Sequence, residues 1–310
     1  MTGFDVVSCA ERLKPWIIRT PLVEVEFLTE LTGRKVFLKL ESLQKTGAFK
    51  FRGAMNYMLT ASRDEASRGV ITASSGNHGL GMSLGGRLMG YKCIVVMPET
   101  AQLTKQNRAK QYGATVILHG GCYDDAQEHA KSLAAEQGYV YVPSFNHPAV
   151  IEGQGTILSE ILCDLPDADT VMAPIGGGGL LAGLLLAKEQ LSSTVRIIGV
   201  EPYGAACMHA SLQANTLTTL QELHTIADGV AVRTPGSLNF DIVRRANPQT
   251  LLVSDEDILR AQSALLHNAK LIVETAAAVP IAAILQGQFP RDAQNLVCII
   301  SGANQTLPKQ

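Results

Sequence analysis

A regular alternation of short β-rich runs with helical patterns, sustained over almost the whole chain, limits the possible folds more than any other feature. The β-rich runs fall at residues 36–40, 70–73, 93–97, 115–118, 140–142, 170–173, 195–200 and 297–300. Between them lie segments such as 124–137 and 255–269, whose apolar residues recur at helical spacing behind Asp-rich starts. This rhythm predicts an α/β fold of open parallel sheets. A length of 310 residues is enough for two lobes with separate cores and a cleft between them. No linker separates the lobes, so they are expected to interleave, with a small lobe over 51–148 and a large one from 1–50 and 149–310.

Lys and Arg total 26 against 28 for Asp and Glu, a net charge of -2 that recruits neither nucleic acid nor an anionic membrane. Cys9, Cys93, Cys122, Cys163, Cys207 and Cys298 are scattered, with no C-x-x-C spacing, and read as reduced thiols. The most apolar helical run, 180–187, is too short to cross a bilayer. A cytoplasmic location is the resulting expectation, with a small molecule or a second copy of the chain as partner.

Four segments carry chemistry. In Thr46-Gly47-Ala48-Phe49-Lys50-Phe51-Arg52-Gly53, a glycine turn introduces a lysine flanked by aromatic rings. Burial beside apolar groups favours the neutral, nucleophilic amine, whereas a lysine merely starting a helix would be solvated. Ser74-Ser75-Gly76-Asn77-His78-Gly79 follows the run at 70–73 and precedes a helical pattern. A loop at a strand's carboxyl end is where open α/β sheets bind ligands, and a helix N-terminus suits a carboxylate. Helix capping is the plainer use of such residues. Gly176-Gly177-Gly178-Gly179 likewise joins a strand run to a helical pattern and has the form of a phosphate cradle. Ser301-Gly302-Ala303-Asn304 ends the last strand run, where Ser301 could face a heteroaromatic nitrogen.

A dinucleotide-binding unit has a similar layout, ending on an acidic residue at Glu201. Leu181 and Ala182 stand where G-x-G-x-x-G needs its third glycine, and no Walker lysine follows. A nicotinamide oxidoreductase is therefore poorly supported.

These four elements, in this order, resemble the fold-type II pyridoxal-phosphate enzymes, and among them the serine/threonine dehydratases and serine racemases. Ile18-Arg19-Thr20-Pro21-Leu22, Glu41-Ser42-Leu43-Gln44, Glu152-Gly153-Gln154-Gly155-Thr156, Gly199-Val200-Glu201-Pro202 and Ala227-Asp228-Gly229-Val230-Ala231-Val232 extend the likeness. The resemblance implies a tryptophan synthase β-like architecture, with a large cofactor-binding domain, a small substrate-binding domain and the active site between them. It implies that Lys50 holds pyridoxal 5′-phosphate as a Schiff base and moves the substrate's α-proton. Phe49 would pack on the cofactor ring, Asn77 would bond its phenolic oxygen, Gly176, Gly177, Gly178 and Gly179 would hold its phosphate, and Ser301 would face its nitrogen. Glu274 matches a residue that approaches the ring, although Glu274-Thr275-Ala276-Ala277-Ala278 departs from the family's usual Glu-Pro-Ser-Gly turn. Ser74, Ser75, Gly76, Asn77 and His78 would bind the amino acid.

The implied reaction is β-elimination from a β-hydroxy amino acid such as L-threonine or L-serine, giving a 2-oxo acid and ammonia. A neutral Ser301 moderates electron withdrawal by the ring, which suits elimination. Racemisation is the alternative, with Ser75 as a second acid/base, as is dehydration of 3-hydroxyaspartate or phenylserine; β-replacement fits less well. In relatives activated by a divalent cation, an acid, a carbonyl and a second acid map onto Glu201, Ala205 and Cys207. The soft thiol argues against the cation. The resemblance also implies a homodimer. With the sequence ending at residue 310, an isoleucine-sensitive regulatory tail is not expected.

Overall fold

The computed structural model describes residues 3–305. Its strands are β1 (Leu22–Glu24), β2 (Lys35–Lys39), β3 (Val70–Ala73), β4 (Cys93–Met97), β5 (Thr115–Leu118), β6 (Val140–Tyr141), β7 (Thr170–Pro174), β8 (Arg196–Pro202), β9 (Thr250–Val253) and β10 (Asn295–Ile299). Its helices are α1 (Val6–Leu13), α2 (Glu26–Thr32), α3 (Lys50–Thr60), α4 (Arg63–Ser67), α5 (Asn77–Met89), α6 (Leu103–Gln111) and α7 (Tyr123–Gln137). They continue with α8 (Pro148–Asp164), α9 (Gly179–Gln190), α10 (Cys207–Ala214), α11 (Ser237–Ala246), α12 (Asp255–Ala269) and α13 (Thr275–Leu285).

Two sheets form. The first has the order β1-β2-β10-β7-β8-β9 and draws its strands from both ends of the chain; the second, β5-β4-β3-β6, uses one continuous stretch. Every pairing is parallel except that of β1 with β2. Parallel strands need both faces covered, which is why the central ones read as continuous apolar runs. The side-chain period of two then distributes each run between two cores. Along β10 and just past it, Leu296, Cys298 and Ile300 enter the core beneath α12 and α13, while Val297 and Ile299 enter the core beneath α8, α9 and α11. In the second sheet Cys93, Val95 and Met97 face α3 and α5, and Ile94 and Val96 face α7.

Helix α3 carries Lys50 at its start and rests on α8. A Cβ on Gly153 would stand 2.6 Å from the Gly53 Cα and 2.7 Å from the Arg52 carbonyl oxygen. The two helices therefore cross backbone to backbone, which leaves no room for a side chain. Helix α13 is apolar around its circumference and buried. It begins directly after Glu274, so the altered segment 274–278 forms a helix start where the sequence reading expects a turn.

Candidate active site

The carboxyl ends of both sheets open onto one cleft of about 1310 Å³. Lys50, Phe49, Ser74, Ser75, Asn77 and His78 line it. Gly176 to Gly179, Glu274 and Ser301 line it as well. Glu201, Ala205 and Cys207 stand apart from that lining.

Lys50 is the first residue of α3. The strand-end loop holds the chain just before it, because the Phe49 N–H donates to the Ser301 carbonyl at 3.0 Å and Ala48 bridges Gly302. The Lys50 ammonium donates to the Ser144 carbonyl at 3.0 Å and lies 5.3 Å and 5.8 Å from the centres of the Phe49 and Phe145 rings. Burial lowers its pKa to about 8, against the opposing charge of Glu274. A substantial neutral fraction therefore exists near neutral pH, the form a nucleophile or base needs.

Gly76 is the N-cap of α5, so Asn77 and His78 belong to the first helical turn and not to the loop before it. No side chain caps this helix. The Ser74 hydroxyl accepts from the Gly76 N–H at 3.2 Å. The Asn77 amide donates to both Glu274 carboxylate oxygens, at 2.8 and 3.1 Å, and its oxygen accepts from Asn304 at 2.8 Å. Burial raises the pKa of Glu274, and the Asn77 bond partly offsets that rise. His78 is buried. Burial, then the charge of Lys50, lowers its pKa to about 3, so the imidazole is neutral at physiological pH.

The glycine loop leaves the end of β7 and enters α9, another helix with no side-chain cap. Gly178 has φ +87, in the left-handed region open to glycine. A Cβ there would stand 2.5 Å from Met208 Cε, and one on Gly177 would stand 2.5 Å from the Phe145 ring. The loop is seated from behind: the Gly177 carbonyl accepts from the Gly236 N–H at 3.0 Å and from the Asn239 amide at 2.7 Å. Among the described residues no protein acceptor takes the N–H of Gly177 or Gly178. Free N–H groups at a helix start fit a phosphate. With a buried amine facing the same cleft, the residues present fit pyridoxal phosphate.

They do not fit a divalent cation. Glu201 is buried, and its carboxylate accepts from the N–H groups of Met208 at 2.9 Å and His209 at 2.8 Å, capping α10. Burial raises its pKa to about 8, which those bonds only partly counter. The Cys207 thiol points at the Gly176 carbonyl, 3.7 Å away. Among the described residues no group of three or more His, Cys, Asp or Glu is placed to hold a metal. All six cysteines are unpaired.

The sequence reading missed Ser144 and Phe145, and placed Asn304 in the segment after the last strand run without giving it a role. Ser144 and Phe145 meet Lys50 through a carbonyl and a ring face. The signal available for them was Pro148, a helix-starting proline that places the residues before it in a strand-end loop. Asn304 donates to the Thr46 carbonyl at 2.7 Å and accepts from Arg108 of α6 at 2.7 Å, joining the segment after β10 to that helix.

Residues 13–302 match the model of a single protein family, described as pyridoxal-phosphate dependent enzyme. The chain belongs to that family. Among its relatives, the catabolic L-threonine dehydratase TdcB of Staphylococcus aureus (strain N315) is 40% identical over 309 residues, covering 98% of this chain and 89% of that protein. The L-threonine ammonia-lyase of Geobacter sulfurreducens is 41% identical over 294 residues, covering 95% and 73%. Among solved structures, maize serine racemase superposes with a TM-score of 0.94 at 32% identity, covering 97% of this chain and 93% of that one. The processed form of threonine deaminase isoform 2 from Solanum lycopersicum superposes at 0.92 with 37% identity, covering 97% of this chain and 84% of that one. The fold is thus that of the type II pyridoxal-phosphate enzymes, with two α/β lobes.

Proposed function

We propose that this pyridoxal-phosphate enzyme eliminates water from a β-hydroxy amino acid such as L-threonine or L-serine, yielding a 2-oxo acid and ammonia. The observation that carries this reading is a buried, easily deprotonated Lys50 in one cleft with a glycine loop and an uncapped, hydroxyl-bearing helix start. Near-full-length likeness to proteins named L-threonine dehydratase supports the choice of reaction.

When bound, the cofactor supplies an electron-withdrawing ring that acidifies the substrate's Cα–H. Lys50 would hold the cofactor, and its Nζ, as a neutral amine, would take the α-proton. Gly176, Gly177, Gly178 and Gly179 would hold the phosphate through backbone N–H groups. Phe49 would pack on the ring, Asn77 would bond its phenolic oxygen, and Glu274, to which the Asn77 amide is bonded, would orient that amide. Ser301, uncharged and just past the end of β10, would face the ring nitrogen without keeping a proton there. Ser74, Ser75 and the free N–H groups at the start of α5 hold the substrate carboxylate, and neutral His78 adds an uncharged hydrogen-bonding edge. In this reading residues 1–50 and 149–310 form the cofactor-binding domain and 51–148 the substrate-binding domain. The protein works as a cytoplasmic homodimer, the commonest closed symmetry.

A second reading rests on Ser75, which lines the cleft and carries a hydroxyl. With a proton acceptor on the face opposite Lys50, the same site would racemise serine. A 2-oxo acid assay over L-threonine, L-serine, 3-hydroxyaspartate and phenylserine, with chiral analysis of the remaining amino acid, separates the readings. Oxo acid from threonine or serine is expected. Racemised serine without oxo acid would replace elimination by racemisation, and silence on every substrate would remove both.

A further inference from the structure

Two cations, Lys50 and Arg52, occupy the first turn of α3, which has no acidic residue and no side-chain cap. The positive end of the helix dipole disfavours cations at that position. Lys50 answers this by giving up its proton readily. Arg52 cannot, because a guanidinium stays charged in proteins. It is fully buried on the side of α3 away from the cleft and is paired from both directions. Its Nε and Nη2 donate to the Glu41 carboxylate at 2.8 and 2.7 Å, and its Nη1 and Nη2 donate to Glu160 at 2.7 and 2.9 Å. Lys39 Nζ closes the cluster, donating to Glu160 at 2.6 Å and to the Thr20 carbonyl at 2.7 Å, while the Thr20 hydroxyl donates to Glu41 at 2.6 Å.

Two cations and two carboxylates balance, so the cluster carries no net charge. Burying four charges brings little stability compared with an apolar packing of the same shape. What such a cluster does supply is geometry, because a guanidinium held by two forks has one place to sit. Here it ties α3 to the end of β2, to the turn at Glu41–Leu43 and to α8.

We propose that Arg52 is a positioning residue: through its closed network with Glu41, Glu160 and Lys39 it fixes the first turn of α3, and with it the point from which the Lys50 amine reaches the cleft. The inference rests on Lys50 being the working amine of the proposed function. A merely structural Arg52 would affect melting temperature alone; a positioning one also moves the surroundings of Lys50.

The test uses two variants, Arg52→Lys, which keeps the charge and loses the fork, and Arg52→Met with Glu41→Gln, which leaves Lys39 and Glu160 as a balanced pair. In the cofactor-free full chain, the pH dependence of Lys50 acylation, read peptide by peptide, is expected to move up from near 8 by about one unit in the double variant. Glu274 and His78 are the titratable groups coupled to Lys50 and stay in place in both variants. In the holoenzyme, kcat is expected to fall about tenfold or more with KM changing less than about threefold, and Arg52→Lys to lie between. A folded double variant with wild-type Lys50 titration and kcat overturns the proposal. Should it not fold, an Arg52→Lys protein with wild-type titration and kcat does the same. If the wild type turns over no β-hydroxy amino acid, the proposed function fails while the acylation curve, which needs no substrate, still decides the role of Arg52.

Discussion

Lys50 shows how one residue's surroundings set its chemistry. Burial brings its pKa down to about 8, and the Ser144 carbonyl holds the ammonium only while it is protonated. In the cofactor-free protein, acylation of Lys50 should therefore be half-maximal near pH 8 and not near the ordinary lysine value of 10.5. The same shift has a consequence for stability. Between about 8 and 10.5 the unfolded chain carries more proton on this group than the folded one, so the group's contribution to stability rises with pH across that window. Below about 8 its cost is fully present. Peptide-resolved acylation at a series of pH values checks the first point, and a half-point above 10 would mean that the amine is solvated. His78 adds no inflection of its own near pH 6.5, because its ring stays neutral down to about 3.

At the scale of elements, close backbone approaches set the tolerances. Gly177→Ala drives a methyl group into the Phe145 ring, and Gly153→Ala drives one into the Arg52 and Gly53 backbone. Overpacking of this kind costs about 1–3 kcal/mol. Gly177→Ala should lower the protein's affinity for pyridoxal phosphate by about tenfold or more, with the loss concentrated in the phosphate grip. Gly153→Ala should lower Tm by several degrees, with a smaller loss of that affinity than Gly177→Ala; the reverse order would contradict the cradle. Central elements are also the ones the sequence made legible. Strands β3, β4 and β7 agree with the runs at 70–73, 93–97 and 170–173 because parallel strands covered on both faces are buried at every residue. Strands β1 and β9 escaped notice. They are the edges of the six-stranded sheet, and their half-exposed residues have no continuous buried run to betray them. Glycine and hydroxyl clusters marked the loops, whereas Ser144 acts through its carbonyl, which every residue has, so that Pro148 signalled only the loop and not the residue in it.

For the molecule as a whole, the two sheets aim their carboxyl ends at one cleft, and Asn304 with Arg108 joins the segment after β10 to α6. No helix among the described residues is long and apolar enough to cross a membrane. Divalent cations should have little effect on the assembled enzyme, because Glu201 is occupied in capping α10 and Cys207 supplies a thiol where an oxygen ligand is needed. Activity should change less than about twofold between excess chelator and added Mg²⁺, and a strong activation would require Glu201 to leave its backbone partners. Everything else depends on where the cofactor is attached. Reconstituting the protein with pyridoxal phosphate, reducing it with borohydride and mapping the adduct by mass spectrometry tests this directly. The label should lie on Lys50, and Lys50→Ala should remain folded and take up none. A label on another lysine, or none after reconstitution, would contradict the account.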